Sequence, residues 1–371
     1  MEQEFTPAEA FPPGEYIRDE LEARGWTQLD LAAILDRPAS VIQDILKGSR
    51  PISPEIAQGL GDAFGTTAQY WMNYQTAYKL ALTPKDDKIM RRAKLFQKYP
   101  IREMQRRGWI EDSSNVNVIE TQVCQFFDIP DIDTEPRLQY AARKTDYAKE
   151  NESQKTWLRR AMNLATMFPV EGKYDENNID ALLTELAQLR KEPEELRSVP
   201  QLLSKFGIRF LIVEHLPKTK IDGACFWLDK NSPVIVMSLR FDRIDYFWFT
   251  LIHELKHVYN KDGTIVESEL FEEYNSDQEK PKAEQDADTF AVNFLVNQEE
   301  LDDMILRKYP MISKIDILVF AHRQGLHPGI VVGQLHHRYK NWSNFRQLLV
   351  KIRSIIIPIA VTDGWGQTIS L

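Results

Sequence analysis

One stretch of sequence determines the fold of the second half of this chain: Phe247-Trp-Phe-Thr-Leu-Ile-His-Glu-Leu-Lys-His-Val-Tyr-Asn260. It contains an HExxH motif, and its amphipathic apolar residues predict a helix. On a helix, His253 and His257 lie one turn apart on one face, so both can bind the same metal ion. Glu254 lies at the edge of that face, where it can act as the general base of a zinc hydrolase. A chance match on a buried helix is the alternative, and a third ligand decides between the two.

The third ligand is predicted in a second helix, within residues 284–295. Glu284, Ala287, Asp288 and Ala291 share one face of that helix. The small alanines allow a neighbouring helix to approach closely, so that Glu284 can reach the metal. Asp288 can then orient a ligand histidine from behind.

Two histidines, one glutamate and a water molecule make an open site, which is the arrangement of catalytic zinc. A structural zinc site normally has four protein ligands, usually including cysteine. The chain has two cysteines, Cys124 and Cys225, and both lie outside the motif. The residue types therefore favour a catalytic site over a structural one.

These residues resemble the ImmA/IrrE family of zinc metallopeptidases, whose signature is a helical HExxH followed by ExxAxxFA. The resemblance implies that His253, His257 and Glu284 bind Zn²⁺ and that Glu254 is the general base. One departure is Lys256, at a position where glycine is frequent in the family. Because this is not a ligand position, the departure concerns the shape of the site and not its chemistry.

The resemblance extends upstream of the metal helix. Residues 207–213, a turn at 221–224 and residues 234–237 look like the short strands that precede this helix in the family. An acidic segment within residues 261–282 is expected to border the cleft, either as a solvated loop or as a lid.

The first 82 residues divide into five short helices with recognisable ends. Thr27 and Asp30 form a capping-box pattern, and Ser53 followed by Pro54 is typical of a helix start. Two short helices joined by a tight turn within such a unit describe a helix-turn-helix, whose second helix can enter the major groove of DNA. We expect three residues of its first helix to face the core: Leu29, Ala32 and Leu35.

This N-terminal segment is similar to HigA-type antitoxins of the XRE helix-turn-helix class. The matching stretches are residues 13–15, 25–32, 45–52 and 63–75. The resemblance implies DNA binding through the third helix, with Gln28 near the DNA backbone and with Ser40 and Gln43 toward the bases.

The charge of this segment weakens the DNA-binding interpretation. Residues 11–80 contain six Lys/Arg and nine Asp/Glu. Because phosphate contacts supply much of the affinity for DNA, an acidic module binds weakly by itself, although dimerisation would compensate. A domain that retains the fold for protein binding or dimerisation is the alternative.

A basic segment follows at once, with nine Lys/Arg and three Asp/Glu in residues 85–107. If it lies beside the third helix, Arg91 and Arg92 would supply the missing phosphate contacts. A solvated helix face is the alternative. The net charge of −9 for the whole chain argues against a protein that coats nucleic acid non-specifically.

The composition agrees with an intracellular globular protein. The chain has 371 residues, two cysteines and an N-terminus without the apolar core of a signal peptide. Its longest apolar run, residues 355–361, is far too short to span a bilayer. We therefore expect a cytoplasmic protein with no membrane partner.

Together these patterns predict an α+β, mainly α, fold with four regions. They are a helix-turn-helix domain (1–82), a helical connector (83–205), a zincin-like peptidase domain with a small β-sheet (206–345) and a C-terminal tail (346–371). We predict a homodimeric DNA-binding regulator whose zinc endopeptidase domain cleaves a repressor, an antitoxin or the chain itself in a limited way. The alternative is an antitoxin-like autorepressor that binds a toxin and operator DNA, with a structural or sensory zinc site and no proteolysis.

Overall fold

The computed structural model describes residues 11–84, 86–136, 152–217, 219–262 and 282–364, and the backbone of 265–268. Much of the acidic segment that we expected to border the cleft lies outside the described residues, as do residues 365–371 of the predicted tail. The chain divides into two compact units, Met1–Ile89 and Met90–Leu371. None of the helices in the described ranges combines the length and the apolar character that crossing a membrane requires.

The first unit consists of the five helices that the sequence predicts. They are α1 (Pro13–Arg24), α2 (Gln28–Ile34), α3 (Ala39–Leu46), α4 (Pro54–Phe64) and α5 (Ala68–Leu82). Thr27 and Asp30 form the capping box of α2, in which the Thr27 amide donates to Asp30 Oδ2 over 2.7 Å. The side chain of Ser53 accepts from the Ile56 amide and caps α4. Local sequence signals therefore define the ends of these helices.

The prediction that Leu29 faces the core of this unit is wrong. Its side chain is 62% exposed, whereas Leu31 is fully buried, Ala32 is buried and Leu35 is half-buried. Residues 31, 32 and 35 lie within an arc of about 100° around the helix axis, and residue 29 lies about 60° beyond residue 32, outside that arc, because each residue turns the helix by about 100°. The predicted stripe was therefore out of phase at one position.

The second unit contains twelve α-helices within the described ranges, of which α6 begins two residues before the boundary. The first six are α6 (Lys88–Lys98), α7 (Ile101–Arg106), α8 (Val116–Phe127), α9 (Glu152–Met167), α10 (Ile179–Gln188) and α11 (Val199–Lys205). The last six are α12 (Ile244–Asn260), α13 (Lys282–Leu295), α14 (Gln298–Lys308), α15 (Lys314–Gln324), α16 (Pro328–Tyr339) and α17 (Arg353–Ile356).

A mixed five-stranded sheet lies at the centre of this unit, with the strand order β4-β2-β3-β1-β5. Its strands are β1 (Arg209–Ile212), β2 (Ile221–Trp227), β3 (Pro233–Met237), β4 (Ile265–Ser268) and β5 (Val361–Thr362). Strand β1 runs parallel to β3 and β5, and β2 runs antiparallel to β3 and β4. Residues 221–224, expected in a turn, instead begin β2.

Helices cover both faces of the sheet, so its alternate residues enter two separate cores. On one face Phe210, Cys225 and Ile235 pack in the core that contains α12. On the other face Leu211 and Ala224 pack in the core that contains α8 and α9. The helices that we assigned to a connector are therefore packed directly on the sheet.

Two polar anchors attach this helical layer to the loop after β1. The Trp157 indole donates to the carbonyl oxygen of Val213 over 2.8 Å. The Arg107 guanidinium donates to the carbonyl oxygens of Glu214 and His215 over 2.7 and 2.8 Å. At the other end of the chain, residues that we assigned to a tail contribute β5 to the sheet. The domain limits themselves stay predictions.

Candidate functional site

Helices α12 and α13 contact each other and bring the predicted site residues together. The side chains of His253, Glu254 and His257 are 0% exposed, and Glu284 is 7% exposed. Ala287 and Ala291 are fully buried in α13, on the same helix face as Glu284. Small side chains at these positions allow the two helices to pack closely, and the close packing places Glu284 beside the histidines.

Three side chains converge at one point: His253, His257 and Glu284. The two Nε2 atoms are 3.0 Å apart. Glu284 Oε2 lies 3.4 Å from His253 Nε2, and Glu284 Oε1 lies 3.5 Å from His257 Nε2.

The geometry fits the donor set of a catalytic zinc site. Ligand atoms that lie about 2.0–2.1 Å from a tetrahedral Zn²⁺ are separated from each other by roughly 3.3 Å. The observed separations of 3.0 to 3.5 Å are of this size. Two imidazole nitrogens and one carboxylate oxygen leave the fourth position of a tetrahedron for water or substrate.

A carboxylate lies behind each histidine. Asp288 Oδ1 is 3.0 Å from His253 Nδ1, and Asp262 Oδ2 is 3.1 Å from His257 Nδ1. Each carboxylate favours the proton on Nδ1, which leaves the lone pair on Nε2 directed at the candidate site. The bond with His257 also lowers the pKa of Asp262.

Sequence reasoning selected Asp288 and missed Asp262. Asp262 follows the end of α12, where Lys261 adopts a left-handed conformation with φ of 57° and turns the chain back. Helical spacing does not apply beyond that turn. An acidic residue five positions after the second histidine is the signal that was available.

Glu254 lies beside this cluster but is bonded to none of it. Neither of its carboxylate oxygens has a hydrogen-bond partner among the described residues. Burial, followed by the nearby carboxylates of Glu284 and Asp222, raises the pKa of Glu254 well above its ordinary value. Asp222 itself accepts two hydrogen bonds from Arg240, at 2.8 and 3.0 Å.

A buried carboxylate without a protein partner is costly, and such groups concentrate at sites where function requires them. A general base needs a lone pair that is free to accept a proton. The lack of a hydrogen-bond partner among the described residues leaves the Glu254 oxygens available for this role.

The predicted DNA-contacting residues of the first unit are exposed. Gln28 is the first residue of α2, and Ser40 and Gln43 lie three residues apart on α3. The buried residues of α3 are Ile42, Ile45 and Leu46, so the helix presents a polar face to solvent. This is the arrangement that a recognition helix requires.

Arg91 and Arg92 lie on α6, and both have partners within the chain. The Arg91 side chain donates to Glu120 over 2.9 Å and to Asn117 over 2.7 Å. The Arg92 side chain donates to the carbonyl oxygen of Ser114 over 2.6 Å. Their contact with DNA stays a prediction, and such a contact would compete with these bonds.

Comparison with known proteins matches one family model within each unit. A family model described as Helix-turn-helix matches residues 17–71, and the peptidase family M78 model, described as IrrE N-terminal-like domain, matches residues 203–338. The chain is 38% identical over 78 residues to Virulence-associated protein I of Dichelobacter nodosus, a match that covers 21% of this chain and 72% of that protein.

Two further similarities cover a similar share of the chain. The chain is 28% identical over 83 residues to the uncharacterized HTH-type transcriptional regulator YddM of Escherichia coli, covering 22% of this chain and 88% of that protein. The solved structure of Pseudomonas aeruginosa antitoxin HigA with the higBA promoter is 40% identical, with a TM-score of 0.19, and the match covers 20% of this chain and 80% of that one.

The fold and the site thus define a two-part protein, with a helix-turn-helix unit and a unit of metallopeptidase type. The chain belongs to the helix-turn-helix family in its first unit and carries the IrrE N-terminal-like domain of a peptidase family in its second.

Proposed function

We propose that this chain is a DNA-binding regulator whose second unit is a zinc-dependent endopeptidase acting on a protein substrate. One observation carries the peptidase proposal: a buried glutamate with no hydrogen-bond partner among the described residues lies next to a cluster of two histidines and a glutamate at tetrahedral spacing. A purely structural zinc site does not require an additional buried carboxylate that neither binds the metal nor accepts a hydrogen bond from the described residues.

His253, His257 and Glu284 would hold the zinc ion in this mechanism. When bound, Zn²⁺ supplies Lewis-acid chemistry, because it polarises a carbonyl group and lowers the pKa of water. Glu254 takes the proton of the attacking water and passes it to the leaving amine. Asp288 and Asp262 hold the imidazole rings in the orientation and tautomer that this chemistry requires.

The regulatory half of the proposal rests on the first unit. Its exposed polar face on α3, with Ser40 and Gln43, fits the major groove, and its family relatives include a protein named as a transcriptional regulator. Because the unit is acidic, we expect it to bind operator DNA as a homodimer. A repressor, an antitoxin or the chain itself is the substrate that suits a peptidase attached to such a unit.

Two measurements on the full chain test the peptidase proposal. Elemental analysis should find about one zinc per wild-type chain and clearly less in Glu284→Ala. Glu254→Gln should retain the zinc and the fold but hydrolyse a pooled library of fluorescence-quenched peptides ~10²–10⁴-fold more slowly than wild type. The glutamine keeps the size of the side chain and removes the base.

The outcomes separate the two predicted functions. The peptidase proposal would be wrong if the zinc-loaded wild type hydrolysed no peptide and Glu254→Gln behaved like the wild type. A chain that still binds operator DNA would then be an autorepressor of antitoxin type with a sensory or structural metal site.

A further inference from the structure

Gly223 lies in β2, on the sheet face that packs against α12. A side chain at this position would have no room. A Cβ atom added to Gly223 would lie 2.7 Å from Glu254 Oε1, 2.7 Å from Thr250 Cγ2 and 3.2 Å from Glu254 Cγ. The missing side chain therefore provides the space that the Glu254 carboxylate occupies.

The backbone conformation does not explain this glycine. The φ angle of Gly223 is not positive, so other residue types could adopt its backbone conformation. Its pairing with β4 shows a bulge, because Ile221 pairs with Ser268 and Gly223 pairs with Glu267. Bulges often re-aim strand residues next to active sites. Glycine is therefore required at position 223 because β2 and α12 approach each other too closely there to leave space for a side chain.

The same close approach is what holds Glu254 in place. Thr250 and Glu254 are four residues apart and lie on the same face of α12. Both are buried, and the two Glu254 oxygens have no hydrogen-bond partner among the described residues. Packing against the β2 backbone, and not hydrogen bonding to the described side chains, thus determines where this carboxylate lies.

We propose that Gly223 is a positioning residue for Glu254. The space left by its missing side chain, which we call the seat of Glu254, holds the carboxylate beside the candidate metal cluster. The kinetic consequence rests on the proposed peptidase function. The structural consequence does not, because it concerns the contact between residues 223 and 254 alone.

Gly223→Ala is the central variant, and its kinetic effect is measured on the zinc-loaded full chain with the quenched-peptide library. We expect unchanged zinc content and hydrolysis that is roughly 100-fold slower, since a displacement of about 1 Å can cost this much. Ala224→Gly is the matched control. Ala224 is fully buried in the same strand but faces the opposite core, so this variant should hydrolyse peptides at the wild-type rate.

A second substitution distinguishes the seat of Glu254 from ordinary packing of α12. Thr250→Ser removes the methyl group that a Cβ at position 223 would meet, and leaves the contact with Glu254 unchanged. We expect Gly223→Ala/Thr250→Ser to remain as slow as Gly223→Ala. Recovery of the wild-type rate in this double variant would overturn the proposal, because Gly223 would then only make room for the helix.

A stability measurement decides the proposal even if the wild type hydrolyses no peptide. In the Thr250→Ser background, Gly223→Ala should lower the melting temperature when residue 254 is glutamate. It should not lower it in combination with Glu254→Ala, since the space is then free. Equal shifts in the two backgrounds would overturn the proposal. Coupling without any hydrolysis would retain the seat and reject the peptidase function.

Discussion

The two units of this chain place their polar candidate functional residues in opposite environments, one exposed to solvent and the other buried. In the first unit Gln28, Ser40 and Gln43 lie on exposed faces of short helices, above a core made of apolar side chains. In the second unit His253 and Glu254 are themselves buried, within the same helix that supplies much of the core. One unit separates its functional surface from its core, and the other builds its functional site inside the core.

This difference has an energetic consequence. An exposed polar side chain can be replaced with little effect on folding, because both states are hydrated. Burial of an imidazole or carboxylate costs free energy unless the group gains a partner, and a metal ion is such a partner. The second unit should therefore couple metal binding to stability, and the first unit should not respond to the metal.

The largest effect should come from removing zinc with a chelator. At free zinc of about 1,000 times the dissociation constant, bound metal contributes about 4 kcal/mol to the unit that binds it. Amide hydrogen exchange should accelerate in α12 and α13 after chelation and stay unchanged in α3. Equal acceleration in both units would contradict the comparison, and unchanged exchange in α12 would argue against a metal held by these residues.

Replacement of the carboxylates behind the histidines should have the next largest effect. We expect Asp262→Asn and Asp288→Asn each to weaken zinc binding by about 10- to 100-fold, because the imidazole loses the charged group that orients it. Competition with a chromophoric chelator measures this affinity. Asp286→Asn is the matched control, since Asp286 is exposed on the same helix as Asp288. Wild-type affinity in both variants would show that these carboxylates do not support the site.

A substitution on α3 should change DNA binding without changing stability. If Gln43 contacts a base, Gln43→Ala should weaken binding to a duplex selected from a random DNA pool by about 1–3 kcal/mol. The melting temperature should stay unchanged because the side chain is exposed. Gln69→Ala, at an exposed position of α5, is the control for a general surface effect. Undiminished binding by the α3 variant would indicate that this face does not read the DNA.

The smallest effects should come from two matching capping boxes, one in each unit. Thr27 caps α2 and Ser313 caps α15, each with an aspartate three residues later. Replacing either capping residue with alanine should cost about 1 kcal/mol of local stability. Hydrogen exchange should accelerate in the affected helix alone. An effect of Ser313→Ala on zinc affinity would show that the site depends on more than its own two helices.

The Ser313 cap also predicts a pH dependence. Hydrogen bonds from Ser313, with a further contribution from Lys308, lower the pKa of Asp316 to about 2. The stabilisation is therefore present above the ordinary aspartate pKa of about 3.9 and is lost as the pH falls toward 2. In Ser313→Ala, exchange in α15 should respond less to this pH change than in wild type.

Much of this protein could be read from its sequence, because much of it depends on local signals. The capping box at Thr27, the four-residue spacing of His253 and His257 and the alanine-lined face around Glu284 all act within one helix or between two consecutive ones. Helical periodicity and cap chemistry are physical rules of short range, so the residues that obey them can be recognised without knowledge of the fold.

Other features were decided by the tertiary structure alone. The phase of α2 placed Leu29 outside, a left-handed turn brought Asp262 back to His257, and β5 joined the sheet from a segment that we assigned to a tail. Gly223 meets Glu254 only because a strand and a helix approach each other across 31 positions of sequence. Such contacts depend on how elements pack, and no local spacing specifies that packing. The sequence therefore determined which residues supply the chemistry, and the tertiary structure decided which residues hold them in position.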